Sequence, residues 1–599
     1  MQRFLFRHFT PWVGAVLLAL VGAVPAARAQ TVDWARVVGQ SRIGWNIAQI
    51  VADAQGNTYI CGQFSDSLII GSFTLYAPDS LQVGASDVYV AKLDPNGVCL
   101  WATRAGGQGL SGGGNNLGYD SAYGLALDAA GDVFVTGIFD SYSIGFGPYT
   151  LYNAGPKYDL FVAKLSSATG QWLWAQRAGG AGGRGDGEDV GRGVQTDAAG
   201  DAYVLGSFQS AVCQVGTTAL TRRTHADLLV AKLDGATGQW QWATRAALGI
   251  GRPEALTLDG RGHVFVAGSF LNPAADFGAD TLSAYSAGSG TSYVENRQCF
   301  VARLSAATGA WQWATQGGDS NRQYGWVVVG DLAVSSQGNC TIVGSINGSS
   351  TMQFGATVLA NNSGVNAAAP APANTRLLGD ALLVQLDSAG QWVSAASFGG
   401  IGSEGFVKLQ TEPGGTLCAL GGMSGQPFNL GSLQMQSLAD RHFLAQLDPA
   451  TNTWNAAAII GSGIRSLAVD VQGRRYVSGI FRGASFQVGS ATLTSPGPAT
   501  SYTGFVARFG AGPLAAPAAH PASPAGLNVW PNPTTGTVQV SGPAPSQPIW
   551  LVDMQGRCVG KDRMPSAGSL VLELPAGLAA GLYVVRVPGT RLARRLVVE

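Results

Sequence analysis

The side chains able to do chemistry in this chain are few and scattered. Its five histidines are His8, His225, His263, His442 and His520. His8 sits in an N-terminal apolar leader and His520 in a Pro/Ala stretch. The other three fall at non-equivalent places along the chain, whereas a metal site needs ligands that converge. The seven cysteines, Cys61, Cys99, Cys213, Cys299, Cys340, Cys418 and Cys558, show neither a CxxC pair nor a zinc spacing. Cys61, Cys340 and Cys418 recur near one strand position, as small buried apolar residues do. The one disulfide to test is Cys61–Cys99. No Gly-x-Ser-x-Gly elbow, His-Glu-x-x-His pair or P-loop occurs. The expectation is no catalytic set, no metal and no cofactor, and so a protein more readily read as a binder than as an enzyme.

One phrase does recur. Asp53-Ala-Gln-Gly56, Asp128-Ala-Ala-Gly131, Asp197…Gly200, Asp259…Gly262, Ser335…Gly338, Glu412…Gly415 and Asp470…Gly473 make seven copies. It lacks the run of oxygen ligands of a calcium loop. It reads as a turn whose Asp bonds its own backbone. Arg184-Gly185-Asp186, in a Gly-rich loop, reads as chance.

The elements around these turns repeat as well. In the second copy, Tyr123–Asp128 and Val133–Phe139 flank the turn as strands. Asp159–Leu165 is a third strand, and Gln171–Arg177 a fourth. Four short strands of β-branched and aromatic residues fit an antiparallel meander. Between the second and third strands, Gly-x-x-x-Leu or Met recurs, as at Gly147–Leu151, and predicts a small hairpin. The fourth strand carries Trp172/Trp174, Trp240/Trp242 and Trp311/Trp313, or single Trp101, Trp392 and Trp454. Alternate residues share a face, so both rings of a pair should pack on one side, between neighbouring sheets.

The last copy ends at Phe505–Phe509 without a tryptophan strand, while Val32–Val38, containing Trp34, precedes the first copy. The simplest closure lets this N-terminal strand complete the seventh sheet, which removes exposed edges. The expected fold is all-β: a seven-bladed β-propeller of four-stranded antiparallel blades, closed by the N-terminal strand, plus a small C-terminal β-sandwich. Short turns then share one end of the strands. The long segments Gly106–Tyr119, Gly179–Gly193, Ser283–Gln298 and Ala360–Gly379 share the other. Ligands usually meet variable loops on a rigid scaffold. Trp45 and Trp326, aromatics outside the packing positions, are the candidate ligand contacts. The first strands themselves read as mainly Ala, Gly, Leu and Val, with no convergent polar set.

Composition narrows the partners. Charged residues are 12% of the 599, with Lys+Arg 36 against Asp+Glu 36. That balance, without a basic block, excludes nucleic acid as the main partner. Residues 1–29 read as a signal peptide ending in Ala27-Arg28-Ala29. No later stretch is long and apolar enough for a membrane span. The expected division is 1–29 signal, 30–510 propeller, 511–525 Pro/Ala-rich linker and 526–599 tail domain.

Two family resemblances extend this reading. Asp-x-x-Gly-Asn/Asp-x-Tyr-Val-x-Gly-x-Phe followed by Asp-x-Phe-Val-Ala-Lys-Leu resembles the bacterial SBBP β-propeller repeats, across about residues 31–510. Leu527-Asn-Val-Trp-Pro531-Asn532-Pro533-Thr-Thr-Gly536, Leu551–Arg557, Leu578-Ala-Ala-Gly581-Leu-Tyr583 and the final Arg594–Glu599 resemble the type IX secretion sorting domain of Bacteroidetes. That implies recognition by the export machinery through Pro531, Asn532, Pro533, Gly536, Gly581 and Tyr583, and a secreted or outer-surface address reached via the periplasm. Asp234-Gly-Ala-Thr-Gly238-Gln-Trp240 also resembles repeats of pyrroloquinoline quinone propellers, and the same words occur in cofactor-free ones. The expected role is binding an extracellular glycan or protein. The alternatives are a propeller enzyme (a polysaccharide-acting enzyme or a quinoprotein) and a structural surface component.

Overall fold

The computed structural model describes residues 31–598 apart from 42–43, 78–84, 109–117, 156, 183–186, 250, 272–273, 284–296, 320–324, 349–350, 361–378, 401, 425–427, 438–439, 499, 513, 515–527, 531–536, 542–547, 554, 556, 564–568, 576 and 589–592. The signal segment, the Arg184-Gly185-Asp186 tripeptide, most of the linker and the cores of the long loops lie outside the described residues. The chain divides into two compact units, Met1–Pro517 and Ala518–Glu599.

The first unit is built of antiparallel sheets. Asp120–Leu127, Val133–Phe139, Asp159–Leu165 and Trp172–Gly179 form one, hydrogen-bonded in that order. Its two middle strands are buried at every residue. This is why they read as continuous apolar runs rather than alternations. The same order recurs in seven sheets, with first strands Gly44–Ala52, Asp120–Leu127, Val190–Thr196, Arg252–Leu258, Trp326–Val334, Glu404–Thr411 and Ile464–Val469. In the last sheet the fourth position is filled by Val32–Ser41, with Trp34 opposite Arg508 and Val37 opposite Phe505. Each first strand lies against that of the next sheet, and Ile464–Val469 lies against Gly44–Ala52.

The tryptophans join sheet to sheet. The Nε1–H groups of Trp101, Trp174, Trp242 and Trp313 donate to carbonyls of the next sheet's last turn: Ser167, Gly235, Ala306 and Ser388. Trp34 of the last sheet donates likewise to Pro95 of the first, at 2.9 Å. The turn glycines make room. A Cβ on Gly170 would fall 2.8 Å from the Trp101 ring, and φ there is +70°. A third-strand cation adds to several junctions: Lys92 Nζ reaches Ser167 O at 3.0 Å, and Lys164 Nζ reaches Gly235 O at 3.1 Å, while Gln385 takes the place and reaches Pro449 O.

The paired tryptophans do not share a face. The ladder slips between Lys164 and Leu165, which pair with Trp174 and Trp172, leaving Leu173 as an extra residue. That β-bulge breaks the two-residue alternation. Trp172 therefore packs in one apolar cluster and Trp174 in the next. Trp172 donates back to Arg104 O at 3.3 Å, whereas Trp174 donates forward. Gln241 and Gln312 are the extra residues of the other two pairs.

The expected hairpins form, and they reach backwards. Ser143–Phe146 and Tyr149–Tyr152 extend the outer edge of the preceding sheet beside Cys99–Gln108. Ser67–Ile70 and Phe73–Tyr76 do so on the N-terminal strand. Each capped edge is withdrawn from pairing with another chain.

The cysteines are free thiols. Cys61 packs in one cluster and Cys99 against another, so the pair worth testing points into different layers. Burial pushes both thiols up to about 12.

The second unit holds a three-stranded sheet, Asn528–Trp530, Thr537–Ser541 and Ser569–Glu573, and a four-stranded one, Cys558–Arg563, Pro548–Asp553, Gly581–Arg586 and Ala593–Val598. Val538, Val540 and Leu572 of the first meet Ile549, Leu551, Val585 and Leu596 of the second in one core.

Candidate functional site

The recurrent turns are saturated with local bonds. Asp128 Oδ1 accepts the amides of Ala130 and Asp132 at 3.0 and 2.9 Å. Asp53, Asp197, Asp259 and Asp470 repeat this geometry. Lys164 Nζ lies 2.8 Å from Asp128 Oδ2, and Lys232 Nζ 2.8 Å from Asp201 Oδ2. At Asp259 burial opposes the charge, but bonds from His263 and the Arg261 amide hold the carboxyl below its usual range. Where the seventh sheet lacks a covalent last turn, Arg475, 1% exposed, takes over. Its Nε lies 2.6 Å from Glu412 Oε1, and it donates to the carbonyls of Gly510 and Gly512.

The opposite strand ends differ. Asp87, Asp159 and Asp227 open three third strands and are met by Arg104, Arg177 and Arg245 of the fourth. Beside these lie acids just before or at the start of the next sheet's first strand. Burial, then the nearby Asp87, pushes the Asp120 carboxyl well above its usual range. Burial pushes Asp189 up to about 7, against bonds from Ser210. The pair Asp380 and Glu404 has no arginine at the equivalent place, where the chain has Ser397. Glu404, 2% exposed, is raised to about 7 by burial and by Asp380, against a bond from the Gly400 amide.

The first strands carry a feature that the sequence reading missed. Every one of the seven bulges near its start. The extra residues are Ala48, Tyr123, Arg192, Glu254, Gly330, Val407 and Arg465. Glycines let the bulged strands close up: a Cβ on Gly191 would lie 2.3 Å from Thr136 Oγ1, and one on Gly124 would lie 2.9 Å from Gly193 Cα. Tyr123, Arg192 and Glu254 thus come from three neighbouring strands at one level. Burial first, then the Arg252 guanidinium, lowers the pKa of Arg192, with Glu254, Tyr123 and Glu188 opposing. Arg252 Nε pairs with Glu254 Oε1 at 3.3 Å. Arg192 Nε is buried with no hydrogen-bond partner. The rings of Tyr119 and Tyr158 stand 6.2 Å apart, with Tyr119 beside Tyr123 and donating to Gln63 Oε1. The expectation of a bland first-strand wall is therefore corrected. A bulge turns one extra residue per strand out of the alternation, and in three adjacent strands that residue is polar.

Trp326, half-buried, opens its first strand opposite Asn347, and Trp45 is the second residue of its own, opposite Phe64. Counted from the bulges they stand four and three residues ahead, so they are not equivalent and belong to different sheets. His263 Nδ1 is tied to Asp259 Oδ2 at 2.6 Å, and burial brings His442 down to about 4. Among the described residues no group of histidine, cysteine and carboxylate side chains could hold a metal ion, and no helix is long and apolar enough to cross a membrane. In the second unit Tyr583 is buried and donates to Ala579 O at 2.8 Å, while Gly581 starts an exposed strand end. Pro531, Asn532, Pro533 and Gly536 lie outside the described residues.

No curated protein matches the chain. Solved structures align over much of it at low identity. Hydrazine synthase of Kuenenia stuttgartiensis shares 9% identity over 75% of this chain and 96% of its own, with a TM-score of 0.37. Quinohemoprotein alcohol dehydrogenase of Comamonas testosteroni shares 11% over 84% and 79%, at 0.35. The β-propeller domain of Myceliophteria thermophila Swd1 shares 7% over 79% and 99%, at 0.33. Such scores say nothing about activity or ligand. The tail is different: residues 528–599 match the secretion system C-terminal sorting domain. The chain thus has an all-β body of repeated antiparallel sheets and ends in a type IX sorting domain that marks it for the cell surface or beyond.

Proposed function

We propose that this protein is an exported binding module. Its body, residues 30–510, is a seven-bladed propeller of SBBP type, whose N-terminal strand closes the last blade. A signal peptide, residues 1–29, brings it to the periplasm. The linker 511–525 joins the body to the sorting domain 526–599, which the type IX machinery reads through Pro531, Asn532, Pro533, Gly536, Gly581 and Tyr583. The body then meets a glycan or protein outside the cell, without turnover. The ligand enters at the loop-bearing strand ends, where Trp45 and Trp326 stand.

The observation that carries this reading is the contrast between strand ends in a chain with a sorting domain. At one end the recurrent turns bond their own aspartates, and the other gathers buried acids and the unmatched Arg192 Nε. An enzyme reading is weakened by the chemistry of that gathering. Burial holds the Tyr123 hydroxyl well above its usual range, so it is a poor base. Glu254 is already paired.

The test is a screen of the mature chain against glycan arrays and surface extracts, with product analysis of any polymer bound. Saturable binding without product supports the reading; release of cleaved polymer overturns it. Replacing both Trp45 and Trp326 with Ala without any change in affinity would remove those two as contacts. Export has its own test. Deleting residues 526–599 should strand the body in the periplasm, and normal export of the truncated chain would refute the sorting role.

A further inference from the structure

We propose that the bulge cluster Tyr123, Arg192, Arg252 and Glu254 is a recognition site for the carboxylate of an acidic saccharide, a uronate. This deepens the binding reading above and rests on it.

Three observations converge. First, the cluster is assembled by backbone geometry, not by proximity in sequence. Arg192 and Glu254 are the extra residues of adjacent first strands, Arg252 stands two residues before Glu254, and Tyr123 is the extra residue on the other side. Second, its donors are incompletely used. Arg192 Nε is buried without an acceptor, and although Glu188 and Glu254 lie within electrostatic range, neither bonds to it. A buried unmatched donor destabilises the fold, more so when charged. That cost is recovered by a ligand bringing two oxygens in the plane of a guanidinium. Third, the Arg252 guanidinium, 53% exposed and paired with Glu254, stands close enough to Arg192 to disfavour its charge. An anion relieves that repulsion; a neutral ligand does not.

The surroundings favour a sugar over other carriers of a carboxylate. Tyr119, which bonds Tyr123, and Tyr158 put two half-buried aromatic rings beside the cluster. On the other strands the bulge positions hold Ala48, Gly330, Arg465 and Val407, the last 40% exposed, and Val328, two residues before Gly330, is 43% exposed. Aromatic and aliphatic surfaces opposite a pair of arginines match the C–H faces of a pyranose carrying one carboxylate. Nucleic acid would need many phosphate contacts, and the site offers two cations.

The experiment is calorimetric titration of the mature chain with tetragalacturonate, a neutral galactose tetramer and an acidic peptide. Tetragalacturonate should bind, the neutral tetramer at least tenfold more weakly. Arg192→Met should weaken tetragalacturonate at least tenfold without lowering the melting temperature, Arg252→Met severalfold, and Arg192→Lys should recover part of the loss. If Arg192→Met unfolds the chain, Arg252→Met, on an exposed side chain, carries the test alone. Equal binding of acidic and neutral tetramers, or indifference to both arginine changes, overturns the proposal. Tighter binding of the peptide with the same arginine dependence overturns it in favour of a peptide partner. If neutral glycans or proteins bind and uronates do not, the binding-module reading stands and this inference falls.

Discussion

The two ends of the strands treat the same residue type in opposite ways. In the turns that follow the first and third strands, Asp259, Asp234 and Asp448 are held below the usual carboxylate range. For Asp234 and Asp448 the leading cause is a backbone amide, from Thr237 and Ala450. Around the starts of the same strands, Asp120, Asp159, Asp189 and Glu404 are all pushed upward, and burial leads each time. The turns bring exposed amides to the charge, so the fold gains from ionisation there. The strand starts bury acids beside other acids. A repeat that only had to stack would gain nothing from the second arrangement.

The turn end should break hardest. Arg475→Met leaves Glu412 buried and uncompensated, so unfolding free energy should fall by about 3–5 kcal/mol. Adding Glu412→Gln should restore much of it, as read by denaturant melts. Lys164→Met removes the partner of Asp128 and a donor to Gly235 in the next sheet. A loss of about 2–3 kcal/mol is expected.

The strand starts should respond with the other sign. Glu404 has a folded pKa near 7 against an ordinary 4.5. The folded state therefore holds the proton more tightly than the unfolded chain, and stability falls as pH rises from about 4.5 through 7. Glu404→Gln should flatten that decline and raise stability at pH 8 by about 2 kcal/mol. A steeper decline in the variant would break the contrast between the ends. Trp326→Ala, on a half-buried side chain without a ring partner among the contacts described, should cost only about 1 kcal/mol, and it sharpens the contrast by reporting on affinity instead.

Much of the scaffold was legible because it repeats. The Asp-x-x-Gly turns, the polar residue before the last Leu of Asp-Leu-Phe-Val-Ala-Lys-Leu and the Gly-x-x-x-Leu hairpins recur at fixed places with few exchanges, such as Ser335 and Glu412 for Asp, Gln385 for Lys and Met435 for Leu. Trp34 pointed to the pairing of Val32–Ser41 with Tyr502–Phe509 because the tryptophan strand was otherwise missing from the last copy. The bulges were not legible. Their extra residues are Ala, Tyr, Arg, Glu, Gly, Val and Arg, so no repeated letter marks them, and a bulge exists only relative to a partner strand. The same blindness placed Trp172 and Trp174 on one face, since alternation holds only while the ladder keeps register. A signal was present in Gly191-Arg192-Gly193, a cation between two residues able to approach a neighbouring backbone closely.

The most direct measurement is a matched pair of cation-to-methionine changes at the two ends, Lys164→Met and Arg192→Met, each scored for unfolding free energy and for tetragalacturonate affinity of the folded protein. Lys164→Met should lose stability and keep affinity, while Arg192→Met keeps stability and loses affinity. If both variants lose stability and neither changes affinity, the two ends are equally structural and the division of labour proposed for them is wrong.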